Sequence, residues 1–362
     1  MWTAWSTAWN ISWRSKVRSV KPLSRVSLLW GETPVHPLPR FAEAVGLKSC
    51  WIKRDDLTGI AFGGNKLRKL EYLLGDALSK GCDLLITGGS PQSNHARLTA
   101  AVARKAGMDA WLCFSGKDPG EVQGNLLLDK LFGATIHMTG RYGSEALLSA
   151  MEELAREAEK QGRKPYVIPV GGSTPIGDYG YTRAWEEWRR QADRLGLSPV
   201  DYLVVPVGTG GTLAGLAVGK RLSPAPVRLV GFSVWLKASE ARAETLRLER
   251  SLLSTLGVGG GEEGDYLVLD EYAGPKYGVP SREGMEAIRL LARTEGILVD
   301  PVYTAKALAG VIDLARRGEW RGKRVLFWHT GGTPSLFTHA KTLADGGKEN
   351  EHRSDRPRSE KG

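Results

Sequence analysis

Cysteine is scarce: three occur in 362 residues, Cys50, Cys82 and Cys113. That is too few for a disulfide framework, and their spacing matches no zinc site. No metal is expected. Such usage fits a reducing compartment, and a cytoplasmic location is expected. No apolar run approaches the ~18 residues of a membrane span, so no transmembrane segment is predicted. Acidic residues are missing from the first 31 positions, which carry Arg14, Lys16, Arg18, Lys21 and Arg25. The formal net charge of +10 raises the question of nucleic acid. The excess forms no compact basic helix and no aromatic–basic RNA motif, so no nucleic-acid partner is expected.

The ends read as peripheral. Trp2, Trp5, Trp9 and Trp13 recur at helical spacing before the basic cluster. A targeting peptide, a membrane-surface helix and a spurious upstream extension all share that pattern; without an apolar h-region or cleavage site it is no secretory signal. Residues 1–24 are expected to be a flexible extension, and the polar residues 342–362 a disordered tail.

Between the ends, short apolar segments alternate with helix-forming ones. Strands are predicted over 51–55, 83–87, 109–114, 135–138, 166–170, 202–207, 228–234 and 325–328. Helices are predicted from Asn65 to Gly81, 94–105, 145–161 and 213–220. This alternation implies an α/β fold of mostly parallel sheets with flanking helices. The length favours two lobes around a cleft.

Three glycine-rich segments sit where such folds bind ligands, at strand ends and helix starts. Gly208-Thr209-Gly210-Gly211-Thr212 presents backbone amides and two hydroxyls at a helix start, which suits a phosphate. It lacks the lysine of a Walker loop and the spacing of a dinucleotide fingerprint, and a tight structural turn reads equally well. Lys66 follows Phe62-Gly-Gly-Asn65 at another helix start, where the dipole disfavours its ammonium form. An amine so placed can form a Schiff base, although Arg68 and Lys69 compete for the role and surface exposure is the plainer reading. The third segment holds Gln92, Ser93, Asn94 and His95. They could bind a carboxylate, or Ser93 or Asn94 could simply cap the helix. Arg97 reads as a surface residue without a role.

Together these motifs resemble the fold-type II pyridoxal-phosphate enzymes that include 1-aminocyclopropane-1-carboxylate deaminase and D-cysteine desulfhydrase, a two-lobed, tryptophan synthase beta-like fold. The resemblance rests on Ile52-Lys-Arg-Asp-Asp56, Gly63-Gly-Asn-Lys-Leu-Arg-Lys-Leu-Glu71, Gln92-Ser-Asn-His95, Gly208-Thr-Gly-Gly-Thr212, Tyr277-Gly-Val-Pro280, Asp300-Pro-Val-Tyr303 and His329-Thr-Gly-Gly332. It implies that Lys66 carries pyridoxal 5'-phosphate, Asn94 meets the ring oxygen, and residues Gly208 to Thr212 bind the phosphate. It further implies that Gln92, Ser93, Asn94 and His95 bind a small amino-acid substrate, with Tyr277 and Tyr303 lining the pocket and assisting catalysis. A small domain over 61–178, a large cofactor-binding domain from 25–60 and 179–341, and a homodimer are implied as well.

One position separates the two activities. Where the deaminases have a glutamate facing the pyridine nitrogen, Thr304 follows Tyr303, as in the desulfhydrases, and Thr330 resembles a second threonine near that nitrogen. Neutral groups make a modest electron sink, suited to β-elimination of a good leaving group. The resemblance thus implies D-cysteine conversion to pyruvate, hydrogen sulfide and ammonia, with Lys66 as the α-proton base. The alternatives are the deaminase reaction, which gives 2-oxobutyrate and ammonia, another lyase of the family such as a cysteate sulfo-lyase, and a noncatalytic binding protein.

Overall fold

The computed structural model describes residues 23–197, 199–259, 264–274 and 276–345. Its strands are β1 (Val35–Pro37), β2 (Ser49–Arg54), β3 (Leu84–Gly89), β4 (Asp109–Phe114), β5 (Thr135–Met138), β6 (Pro165–Ile168), β7 (Tyr202–Val207), β8 (Arg228–Ser233), β9 (Tyr266–Leu269) and β10 (Arg324–His329). They form two sheets. One has six strands in the order β1-β2-β10-β7-β8-β9, and the other four in the order β5-β4-β3-β6. All pairs are parallel except β1 with β2 at one edge.

Burial on both faces explains the uninterrupted apolar strands. In β10, Val325 and Phe327 join the core under the helices Arg282–Glu295 and Thr304–Arg316, while Leu326 and Trp328 face the helices Pro175–Leu195 and Gly211–Leu222. The smaller sheet repeats the pattern. Leu85, Leu112 and Phe114 pack with the helices Lys66–Ser79 and Asn94–Lys105, whereas Leu84, Ile86 and Cys113 face the helix Ser144–Lys160.

Several expectations shift. The strand expected to reach Val170 stops at Ile168, because Val170–Gly172 turns with Gly171 at φ 72°. Asn65 precedes its helix but makes no side-chain cap; its amide reaches Thr212 Oγ1 at 3.0 Å instead. Four residues of the expected tail, 342–345, belong to the helix Ala340–Asp345, and 346–362 lie outside the described residues. Most of the expected 1–24 extension, with its tryptophans, lies outside them too. Arg25, just beyond it, bonds Glu71 at 2.9 Å. No helix among the described residues is long and apolar enough to cross a membrane.

Candidate active site

The carboxyl ends of β3, β7 and β10 deliver their loops to one cavity of about 790 Å³. Lys66, Ser93, Asn94, His95, Tyr277 and Tyr303 line it, together with Gly208, Thr209, Gly210, Thr212 and Thr330. The three segments singled out by sequence therefore meet, although they lie far apart along the chain.

Lys66 opens its helix after a strained turn. Ala61, Phe62, Gly63 and Gly64 have φ of 51°, 62°, 58° and 126°. Left-handed backbone costs ordinary residues about 1–2 kcal/mol each, so contacts must hold it. The Gly64 N–H donates to Asp55 O and to Thr58 Oγ1, and a Cβ on Gly63 would come within 2.3 Å of Asp56 O. Of the three neighbouring cations, Lys66 alone lines the cavity. Arg68 is buried in ion pairs with Asp55 and Glu187, both at 2.8 Å. Lys69 is fully buried and donates to Asp178 Oδ1 at 2.8 Å and Ser173 Oγ at 3.0 Å. Burial, reinforced by the charge of Lys69, holds the Lys66 amine well below its ordinary pKa, with Asp178 opposing. A neutral amine is a nucleophile and a base.

Facing it, the loop after β7 enters the helix Gly211–Leu222 with Gly210 at φ 81°. The Ala214 N–H donates to Gly210 O, so the amides before it have no intrahelical acceptor and, with the helix dipole, favour an anion. Thr209 Oγ1 lies 2.7 Å from Ser173 Oγ. Gly211 is behind the wall, where a Cβ would lie 2.1 Å from Asp178 Oδ1, 2.5 Å from Lys69 Nζ and 2.6 Å from Ser173 Oγ. Glycine is likewise required at Gly171, where a Cβ would approach Thr209 Oγ1 to 2.7 Å and Lys66 Nζ to 3.4 Å. An anion cradle opposite a lysine whose amine is held well below its ordinary pKa fits pyridoxal 5'-phosphate.

The third segment divides. Ser93 lines the cavity and also caps its helix, accepting the Ala96 N–H at 3.2 Å, as the capping reading expected. Asn94 lines the cavity with Oδ1 held by Asn125 Nδ2 at 2.9 Å. Gln92 is not in the wall. Its side chain is spent on the Asn125 N–H at 2.9 Å and on Gln123 O at 3.0 Å, so it anchors the loop. His95 is 2% exposed, and neither ring nitrogen has a partner among the described residues. Burial, then the charges of Lys66 and Lys69, hold its pKa well down and keep it neutral.

Tyr277 and Tyr303 share a hydrogen bond of 2.5 Å between hydroxyls. Burial raises the pKa of both, that of Tyr303 strongly, so both keep their protons. Thr330 is in the wall and accepts the Asn65 N–H through its carbonyl at 2.9 Å. Thr304 is not. It is fully buried, and its hydroxyl donates to Asp300 Oδ1 at 2.6 Å and accepts the Asp300 N–H at 2.8 Å. The hydroxyl expected near the cofactor nitrogen instead fixes the segment that carries Tyr303.

Sequence reasoning passed over Gly171, Ser173, Asp178 and Trp235. The Gly171-Gly172 pair after a strand was a usable signal. Trp235 had none. It lies edge-on to Tyr277 at 6.0 Å and donates to Gly208 O at 3.3 Å.

A profile of the pyridoxal-phosphate dependent enzymes matches residues 26–331. A Pyrococcus furiosus protein, named provisionally as a 1-aminocyclopropane-1-carboxylate deaminase, is 42% identical over 323 residues, 89% of this chain and 96% of that protein. A D-cysteine desulfhydrase of Yersinia enterocolitica is 42% identical over 321 residues, covering 87% and 96%. The crystal structure of an ACC deaminase homologue superposes with a TM-score of 0.83 at 41% identity, covering 92% of this chain and 98% of that one. Profile, relatives and fold agree that the chain belongs to the fold-type II pyridoxal-phosphate dependent enzymes, in the group of 1-aminocyclopropane-1-carboxylate deaminase and D-cysteine desulfhydrase.

Proposed function

We propose that this enzyme catalyses β-elimination on D-cysteine, taking up water and releasing pyruvate, hydrogen sulfide and ammonia. The observation that carries the reading is that a threonine, Thr330, and, among the described residues, no glutamate lines the cavity there. The one carboxylate among the lining residues, Asp118, follows β4 in the other sheet, and Thr304 places no charge near Thr330. A weak sink favours expulsion of a thiolate over opening of an unactivated ring.

Pyridoxal 5'-phosphate, when bound, supplies the sink for electrons released at the α carbon. In this reading Lys66 holds it, and residues Gly208 to Thr212 grip its phosphate through amides and hydroxyls. Asn94 meets the ring oxygen. Ser93 and the amides around it receive the substrate carboxylate, beside His95. The Lys66 amine, held well below its ordinary pKa, would take the α proton. The paired hydroxyls of Tyr277 and Tyr303 retain protons and line the cavity, so one of them can donate a hydrogen bond to the departing sulfur. A homodimer accompanies this reading, as does a cytoplasmic location.

Opening of 1-aminocyclopropane-1-carboxylate to 2-oxobutyrate and ammonia is the second reading, and the name of the Pyrococcus furiosus relative favours it. Both substrates, with L-cysteine, cysteate, D-serine and β-chloro-D-alanine, should be compared by kcat/KM. D-cysteine is expected to dominate with stoichiometric sulfide; a dominant cyclopropane rate overturns the proposal. Borohydride reduction followed by peptide mass spectrometry should find the adduct on Lys66, and an adduct on Lys69 would reassign the attachment.

A further inference from the structure

Arg97, read from sequence as a surface residue, is fully buried. Its Nη2 donates to Gly63 O at 2.8 Å, and Nε and Nη1 have no acceptor among the described residues. Asp129, also fully buried, interacts with its charge and has no donor to either carboxylate oxygen among the described residues. One turn earlier on the same helix, buried Asn125 donates to Asn94 Oδ1 at 2.9 Å and to Gln92 O at 2.8 Å. Charged groups this deep are costly, and N–H donors with carboxylate oxygens form a set that solvent can bridge.

The turn before Lys66 shows what Arg97 does there. Ala61 and Phe62 are held at positive φ, yet the Phe62 side chain is 61% exposed and cannot be what holds the turn. Asp55 and Thr58 fix Gly64. The Gly63 carbonyl has Arg97 as its one donor among the described residues.

We propose that Arg97 is a positioning residue for Lys66. It locks the strained Ala61–Gly64 turn through the Gly63 carbonyl. The carbonyl it holds lies three residues before Lys66, so the turn sets where the amine enters the cavity. The inference rests on Lys66 as the attachment site.

The test uses Arg97→Met and Arg97→Lys in the full chain. Hydrogen–deuterium exchange is followed over residues 60–67 with and without pyridoxal 5'-phosphate, and cofactor binding is titrated by absorbance. Arg97→Met should exchange about tenfold faster at this turn and bind the cofactor about tenfold more weakly, the loss expected of one charge-assisted hydrogen bond. Arg97→Lys, with the charge but not the fork, should fall between; if the methionine variant does not fold, the lysine variant decides. Unchanged exchange at the turn, or exchange raised equally throughout the protein, overturns the proposal. Borohydride mapping on the same samples separates the two readings. An adduct elsewhere removes the attachment reading, whereas the exchange result judges the Arg97 contact by itself.

Discussion

Gly211→Ala is a sharp perturbation, because it adds one carbon against a buried ion pair. That carbon would sit 2.1 Å from Asp178 Oδ1, 2.5 Å from Lys69 Nζ and 2.6 Å from Ser173 Oγ. Lys69 and Asp178 are both fully buried and bonded at 2.8 Å. Relief requires either parting the ion pair or lifting the helix start at Gly211. Overpacking costs about 1–3 kcal/mol, and losing one partner of a buried pair about 3–5 kcal/mol. Displacement without deletion should therefore cost about 2 kcal/mol of stability. Thr209 and Thr212 flank the moved residue, so pyridoxal 5'-phosphate should bind at least about tenfold more weakly, equal to about 1.4 kcal/mol. Gly259→Ala is the control, since its Cβ would meet nothing within 4 Å, and it should change stability by less than about 0.5 kcal/mol. Urea unfolding and absorbance titration of both variants measure the effects. A Gly211→Ala enzyme with wild-type stability and cofactor affinity refutes the packing argument.

Three further outcomes are expected. Thr304→Glu would bury a carboxylate beside that of Asp300 and should lose about 3–5 kcal/mol in chemical denaturation without gaining cyclopropane opening; a stable variant that opens the ring would defeat the reading of Thr304. Burial raises the Asp129 carboxyl to about 8, with Arg97 opposing, so the folded state holds a proton that the unfolded state releases above its ordinary range. Its contribution to stability therefore falls as pH rises from about 4 to about 8, and Asp129→Asn should gain on wild type across that window in urea titrations; a pH-independent difference would contradict this. Removing residues 1–22 should leave turnover and thermal stability nearly unchanged, whereas a cut through Arg25 deletes its bond to Glu71 and should lower the melting temperature; equal effects of the two cuts would show that Arg25 anchors nothing.

Local chemistry made much of this protein legible from its sequence. Strands such as 83–87 and 202–207 could be read because burial on both faces demands continuous apolar runs, and the sheet order then carries their glycine-rich ends to one cavity. Edge strand β1, Val35-His-Pro37, offered no such signal, whereas β9, Tyr266-Leu-Val-Leu269, is an apolar run of that kind that the sequence reading passed over. Residue type and motif order marked Lys66, the Gly208–Thr212 loop and the tyrosine pair as candidates, and the fold brings them to one cavity. Sequence could not choose among Lys66, Arg68 and Lys69. Their identities are nearly equivalent, and only the packing of the helix Lys66–Ser79 sends Arg68 to Asp55 and Glu187, Lys69 to Asp178, and Lys66 to the cavity. Nor could it see that Gln92 and Thr304 turn away from the cavity, or that Arg97 is buried beneath the turn. The direction of a polar side chain is set by partners distant in the chain, such as Asn125 for Gln92 and Gly63 for Arg97, and the folded chain alone brings them within bonding distance.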